Sequence, residues 1–348
     1  SYLLLGPRRV GKSTFLKTEL RPDVLIDLLM SDVYFEYRSR PALIRERYSD
    51  LSGTVVIDEV QRIPELVSEV HWMLENTNVR FVLSGSSARR LRREGVTNLA
   101  GRLRTQRMAP LTWQECRDRF VLAERLQHGM LPPMLFSDDP AQDLKDYCGE
   151  YLREEVQSEG LVRNLPSFTR FLELAAFNNA ELLNYSTVAR DCGVSAKTVA
   201  EYYQILEDTL LGFHLEPFTA TAKRRATQTR KFYYFDCGVA NTLLGREVSP
   251  KTPEFGKIFE QFLVLESIYA RFYEKSIDRL RFWRSSSGLE VDLLIDDHTA
   301  VEFKSGRVHD TDGRGILALS EEITLKNKWI VSTEDVPRKL SNGIEILP

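Results

Sequence analysis

Cysteine is scarce and scattered. Cys116, Cys148, Cys192 and Cys237 are far apart and show no paired spacing, which argues against a zinc site or a disulfide scaffold and for reduced, partly buried thiols. Long apolar runs are missing as well. No stretch approaches the ~20 residues of a membrane helix, and no charged-then-apolar leader opens the chain, so the expectation is a cytoplasmic protein with no membrane contact. No Met opens it either, and the first residues already read as a strand, so an N-terminal segment is expected to be missing. Charge of one sign is not in excess: the net charge of −3 gives the whole chain no pull on a polyanion. Cations are instead clustered, with Lys223, Arg224, Arg225, Arg230 and Lys231 in one run and Arg89, Arg90, Arg92 and Arg93 in another. What is present is ordinary globular material, 348 residues at 43% hydrophobic, enough for two or three domains with their own cores.

The strongest motif stands near the start. Tyr2 to Leu5 reads as a buried parallel strand. Gly6-Pro7-Arg8-Arg9-Val10-Gly11-Lys12-Ser13-Thr14 follows and fits G-x-x-x-x-G-K-S, with a helical segment from Phe15 to Leu20 after it. Glycines at these places let backbone N–H groups face phosphates at a helix N-terminus. Lys12 is then expected on the β- and γ-phosphates and Ser13 on Mg²⁺. Thr54 to Glu59 is an apolar strand ending in two carboxylates. Asp58 fits a Mg²⁺ contact through water, and Glu59 fits the group that orients and polarises the attacking water. A third strand, Arg80 to Leu83, ends in Ser84-Gly85-Ser86-Ser87, where Ser84 or Ser86 is the candidate sensor of the γ-phosphate. Arg102, after Leu99-Ala100-Gly101, is a candidate arginine finger, which requires a neighbouring copy and hence a homo-oligomer, or else a plain surface arginine. Another strand is expected over Thr105 to Met108.

From Asp118 to Asn179 the pattern is mostly helical, broken at Gly129 to Pro133. Ser186 to Cys192 reads as a short helix capped by Ser186, Gly193-Val194 as a turn, and the segment from Ser195 through Leu206 as a second helix. Strands at Leu210 to Phe218 and Lys231 to Phe235 flank the basic run, so the segment resembles a winged helix with a cationic wing. Lys197 and Thr198 on the second helix, and Lys223, Arg224, Arg225 and Arg230 on the wing, are the candidate DNA contacts. A winged helix used only for packing is the competing reading, and Glu201, Glu207 and Asp208 favour it.

An amphipathic helix follows from Phe255 to about Tyr273, then strands at Arg281 to Arg284, Glu290 to Ile295 and Ala300 to Phe303. Asp292, Glu302 and Lys304 have the D…E-x-K spacing of a restriction-endonuclease-like site, with Glu260 as a helix-borne acidic partner. Two carboxylates at adjacent strand ends can hold Mg²⁺ beside a phosphodiester, and a lysine on the same face can stabilise the nucleophile or the developing charge. The competing reading keeps the fold as a docking or regulatory module.

Several motifs in fixed order carry a family resemblance. Gly6 to Ser13, Val56-Ile57-Asp58-Glu59-Val60-Gln61, Leu83 to Ser87 and Leu99 to Arg102 resemble an uncharacterised prokaryotic AAA+-type ATPase family whose members carry a C-terminal region of unknown function. Lys231-Phe232-Tyr233-Tyr234-Phe235-Asp236-Cys237-Gly238, Phe259-Glu260 and the stretch from Glu290 to Lys304 agree with it. The resemblance implies an α/β fold: a P-loop AAA+-like parallel sheet (1–115), a helical and winged-helix region (116–235) and a restriction-endonuclease-like α/β domain (236–348). It implies ATP over GTP, with Mg²⁺. The family usually has Thr where Cys237 stands. The leading functional expectation is a DNA-associated ATPase. The alternatives are a regulatory NTPase switch acting through protein contacts and an ATP-gated nuclease.

Overall fold

The computed structural model describes residues 1–86, 101–151, 164–221, 223–274 and 279–348. The cluster Arg89, Arg90, Arg92 and Arg93 lies outside the described residues, as do Ser87, Leu99 and Ala100 of the quoted motifs. The chain divides into two compact units, one made chiefly of residues 1–110, the other of residues 111–151, 164–207 and 212–348.

The first unit is a parallel sheet in the order β2-β3-β4-β1-β5, made of β1 (Tyr2–Leu5), β2 (Val24–Asp27), β3 (Thr54–Asp58), β4 (Arg80–Gly85) and β5 (Arg104–Arg107). β1, β3 and β4 are apolar runs with nearly every residue buried, as strands covered on both faces require. β5 starts one residue before its expected position and is exposed along its length, as suits an edge. Its helices are α1 (Lys12–Thr18), α2 (Ser31–Ser39), α3 (Leu43–Tyr48) and α4 (Glu65–Asn76). α4 buries Leu66, Val67, Val70 and Met73, one stripe of a 3.6-residue period.

The second unit opens with α5 (Leu122–His128), α6 (Pro132–Phe136), α7 (Pro140–Asp146) and α8 (Leu165–Phe177). Gly129, at φ 75°, makes the expected break after α5, and Pro132 opens α6. α9 (Tyr185–Cys192) and α10 (Ala196–Asp208) flank Gly193, whose φ of 68° ends α9 in the left-handed region. Ser186 is not the cap of α9: Asn184 takes that place, its side chain accepting the Thr187 N–H at 3.1 Å. Ser195 behaves as expected and accepts the Thr198 N–H at 3.1 Å. Phe168 and Phe171 of α8 pack against Tyr202 and Tyr203 of α10 with ring centroids 4.8–5.2 Å apart, the aromatic core of this helical part.

β6 (Gly212–Pro217) and β7 (Lys231–Tyr234) pair antiparallel. They are the two strands expected to flank a wing, and they are also the end of an eight-stranded sheet that runs through residue 235 into the C-terminal part. That sheet continues with β8 (Leu280–Arg284), β9 (Glu290–Ile295), β10 (Thr299–Lys304), β11 (Asn327–Ser332), β12 (Arg338–Lys339) and β13 (Glu345–Leu347), in the order β12-β13-β11-β10-β9-β8-β6-β7. α11 (Cys237–Leu243), α12 (Phe255–Tyr273) and α13 (Arg314–Ser320) complete the unit.

The Asp236-Cys237-Gly238 stretch has a structural reason. Asp236 caps α11 through the Val239 N–H at 3.1 Å and accepts the Met130 N–H at 2.7 Å. Burial pushes its carboxyl up to about 6 against these bonds. A side chain at Gly238 would meet the His128 carbonyl oxygen at 2.3 Å, so only glycine lets α11 approach α5 here. The four cysteines are free and buried. Among the described residues no helix is long and apolar enough to cross a membrane.

Glu266 adds to the pH dependence of this unit's stability. Glu266 of α12 lines a cavity of about 880 Å³ with Phe259, Phe262, Leu293, Val301 and Phe303. Burial there raises its pKa from 4.5 to about 7, opposed by the Trp113 N–H and reinforced by Glu115. A carboxyl whose folded pKa is raised contributes stability that is full below the unfolded value and lost as pH climbs through about 7. Glu266→Gln is expected to flatten this loss. Thermal melts across that range should show the parent falling more steeply than the variant, since the raised Asp236 carboxyl remains in both; parallel curves would contradict it.

Candidate nucleotide site

The loop between β1 and α1 carries two left-handed residues. Arg9 (φ 64°) and Gly11 (φ 96°) take left-handed conformations, the kind of alternation that turns successive N–H groups toward one point. Gly6 is pinned to the neighbouring strand by its N–H on the Gly85 oxygen at 3.3 Å. A side chain at Gly6 would come within 2.5 Å of the Met108 oxygen, so glycine is required for this approach. Lys12 is buried and donates to the Gly6 and Pro7 oxygens at 2.7 and 2.9 Å. Val10 is buried under the loop, while Arg8 and Ser13 are half-buried and Thr14 is exposed.

β3 and β4 end beside this loop. β4 pairs directly with β1, and β3 lies on its far side, so Asp58 is two strands, about 10 Å, from the loop strand. Ser84 is fully buried and its hydroxyl donates to Asp58 Oδ1. The Ser84 hydroxyl oxygen in turn accepts the Glu59 N–H at 3.1 Å. Glu59 has φ 59°, a left-handed kink that ends the strand and turns its carboxylate toward Gln61, whose Nε2 donates to it. Gln61 also reaches Ser86 Oγ at 3.4 Å. Of the two serines, Ser84 is the one tied to both acids. Ser86 enters through Gln61, a residue that motif reading did not single out.

The residues present fit a phosphate with a divalent ion. Asp58 is fully buried, and its Oδ2 has no hydrogen-bond partner among the described residues, an acceptor suited to a water of a hydrated Mg²⁺. Lys12 supplies the positive side. Arg102 is elsewhere. It precedes β5, at the opposite end of the sheet from the loop, and pairs with Glu75 of α4, so it does not serve this chain's own site.

Of the C-terminal D…E-x-K residues, Asp292 feels the charges of Glu260 and Glu302, and Glu302 feels that of Lys304, while each acid also has a backbone partner. The β9–β10 ladder ends at Leu293 and Val301, and beyond it Asp292 Oδ2 accepts the Phe303 N–H at 2.8 Å. Glu302 is buried and accepts the Ile316 N–H of α13 at 3.3 Å. Lys304 is 4.0 Å from Asp312. Glu260 bonds Lys231 at 2.9 Å and the Tyr233 hydroxyl at 2.8 Å, and Glu290 bonds Lys231 at 2.5 Å. Burial works against the Lys231 ammonium, but Glu260, Glu290 and Asp292 outweigh it and raise its pKa. Asp292 is raised well above its ordinary value by burial and by Glu260, partly offset by Lys231. Glu302 is raised by burial, against Lys304 and the α13 N–H groups. Among the described residues, no three His, Cys, Asp or Glu side chains form a metal-holding group.

The cationic wing is largely neutralised. Arg224 pairs with Glu321 at 2.7 Å and Glu322 at 3.2 Å, and Arg230 with Glu216 at 3.0 Å. Lys231, 3% exposed, is a core residue. Lys223 and Arg225 are exposed, as is Lys197 at the start of α10, while Thr198 is engaged with Ser195. A candidate phosphate-binding run of five cations is thus reduced by internal carboxylates.

Comparison with known proteins divides the chain into three. Residues 1–117 match a family model described as AAA domain, residues 119–249 one described as Domain of unknown function (DUF8612), and residues 255–348 one described as Domain of unknown function (DUF4143). Uncharacterized proteins of Mycobacterium bovis and Mycobacterium tuberculosis are each 28% identical over 305 residues, covering 84% of this chain and 67% of the relative. A solved structure described as the Aeropyrum pernix ORC1 protein in complex with DNA is 15% identical, covers 70% of this chain and 86% of that one, and superposes with a TM-score of 0.27, too slight a likeness to say anything of this chain.

Replacing Lys231 tests the C-terminal cluster. Lys231→Met leaves buried carboxylates without their cation, and is expected to cost about 3–5 kcal/mol in chemical denaturation. A loss within about 0.5 kcal/mol, typical of a surface position, would show that Lys231 is not the centre of this cluster.

Proposed function

We propose that the first unit binds a nucleoside triphosphate with Mg²⁺ and hydrolyses it. The observation that carries this is the Ser84 hydroxyl joining Asp58 and Glu59 at the strand ends beside the loop of Lys12. Gly6 through Thr14 would cradle the phosphates, with Lys12 as their charged donor and Ser13 and Asp58 holding the hydrated ion. Bound Mg²⁺ would neutralise charge on the phosphates. Glu59 takes a proton from water as the water oxygen bonds to the γ-phosphorus. The bond from phosphorus to the bridging oxygen breaks, leaving nucleoside diphosphate and phosphate. ATP is the proposed base form, following the family resemblance. Arg102 would enter only from a neighbouring copy, in a homo-oligomer.

For the second unit, DNA association is proposed on α9 and α10 with Lys197, Lys223 and Arg225 as the contacts. The pairing of Arg224 and Arg230 with carboxylates supports the competing reading, a module that transmits the nucleotide state through protein contacts. The nuclease reading is disfavoured, because Lys231 already supplies the cation among Glu260, Glu290 and Asp292.

Calorimetric titration with ATP and phosphate-release assays test the core of this. Lys12→Ala is expected to lose nucleotide binding. Glu59→Gln is expected to bind within about twofold of the parent and to turn over on the order of 10²–10⁴-fold more slowly. Parent-like affinity in Lys12→Ala would contradict the assignment. For DNA, neutralising Lys223 and Arg225 together should flatten the log–log salt dependence by about two units, and Arg224→Ala should leave it nearly unchanged. No difference between the two would remove DNA from these positions.

A further inference from the structure

Gln61 is a buried amide with half of its hydrogen bonding in view. It lies in the short 3-10 turn Val60–Arg62 after β3, is 4% exposed, and directs Nε2 to Glu59 Oε2 and to Ser86 Oγ. Its Oε1 is buried with no partner among the described residues. The orientation of the amide is dictated by charge. Rotating it end for end would set Oε1 against the Glu59 carboxylate, acceptor against acceptor, and would leave two donors where no acceptor is seen. The turn that carries Gln61 is itself fixed, because Arg62 donates to the Leu28 oxygen and stacks over Tyr34 at 4.6 Å. Ser86 directly follows Gly85, the residue whose oxygen holds the Gly6 N–H. Gln61 therefore ties the Glu59 carboxylate to the end of β4, the strand that pairs with β1, from which the phosphate loop departs.

Folding does not explain such an arrangement. A buried amide with an unsatisfied oxygen destabilises a core, and an apolar side chain of the same length would serve the turn better. We infer that Gln61 is a positioning residue for hydrolysis: it sets the rotamer of Glu59 through Nε2, and its Oε1 is the second acceptor for the water that Glu59 activates. A water between these two acceptors would have one proton on the carboxylate that takes it and one on the amide oxygen, which turns a lone pair toward phosphorus. The proton transferred goes to Glu59 and none goes to Gln61. The inference rests on the hydrolase reading above, and its ligand is the attacking water, with nucleotide affinity set elsewhere in the site.

The test uses the full chain with ATP and Mg²⁺, and reads ATP affinity, kcat and melting temperature together. Gln61→Met keeps length and removes both bonds. It is expected to leave ATP affinity within about twofold, to lower kcat on the order of 10²-fold through misplacement of the base, and to leave the melting temperature equal or higher. Gln61→Glu puts a second carboxylate against Glu59, so the acid limb of the kcat–pH profile should move up by about one unit or more. A structural role would give the opposite set: a lowered melting temperature, affinity and kcat falling together, and an unshifted pH profile in Gln61→Glu. Either that set, or parent-like kcat in Gln61→Met, overturns the inference. Glu59→Gln assayed alongside separates the two levels. If the parent turns over and Glu59→Gln does not, parent-like Gln61 variants sink this inference alone. If Glu59→Gln hydrolyses like the parent, the hydrolase reading falls and this one with it.

Discussion

A single buried hydroxyl organises the candidate nucleotide site. Ser84 donates to Asp58 and accepts from the backbone of Glu59, so one oxygen fixes the side chain of one acid and the main chain of the next. The constraint comes from the parallel sheet. β4 is flanked by β1 and β3, all three strands end at one edge, and only a short polar side chain at Ser84 can span from β4 to the end of β3. Glu59 can adopt its left-handed kink because its N–H has this acceptor. The kink in turn sends the carboxylate to Gln61 rather than onward along the strand. Lys12 and the loop stand beside this network because β1 pairs with β4.

The second unit obeys a different constraint, the cost of burying charge. Lys231 sits at the start of β7, the end strand of the eight-stranded sheet, yet it is buried, and is viable there because Glu260 and Glu290 bond it. Once that ammonium is in place, the nearby acids are committed. Asp292 bonds a backbone N–H, Glu302 bonds the start of α13, and Lys304 reaches Asp312. A side chain at Gly315 would collide with the Glu290 oxygen at 1.6 Å, which shows how closely α13 is seated over these strands. The arrangement is that of a tightly paired scaffold.

The parts of this that were legible in the sequence are the local ones. Strand, glycine loop and helix are adjacent in sequence from Tyr2 to Thr18, and an apolar strand ending in Asp58-Glu59 is a contiguous signal. The helix–turn–helix spacing of α9 and α10 was readable for the same reason. Partners distant in sequence were not readable. Arg224 meets Glu321 and Glu322 nearly a hundred residues later, and Lys231 looked like the last member of a surface run because composition carries no burial. Asp292 and Glu302 have the right spacing, but the backbone partners that hold them, Phe303 and Ile316, depend on the strand register and on the packing of α13. The choice between Ser84 and Ser86 needed the sheet register. Gln61 stood in a quoted motif without a role, because its i, i+2 contact with Glu59 accompanies a positive φ at Glu59 that the sequence does not announce.

Ser84 offers the most direct measurement of the account. In single-turnover phosphate release with saturating ATP and Mg²⁺, Ser84→Ala should bind ATP within about twofold of the parent while hydrolysis slows on the order of 10²-fold, since both acids lose their common anchor. Hydrolysis at the parent rate with affinity unchanged would show that the Asp58–Ser84–Glu59 linkage does not organise the chemistry, and would contradict the account at its base.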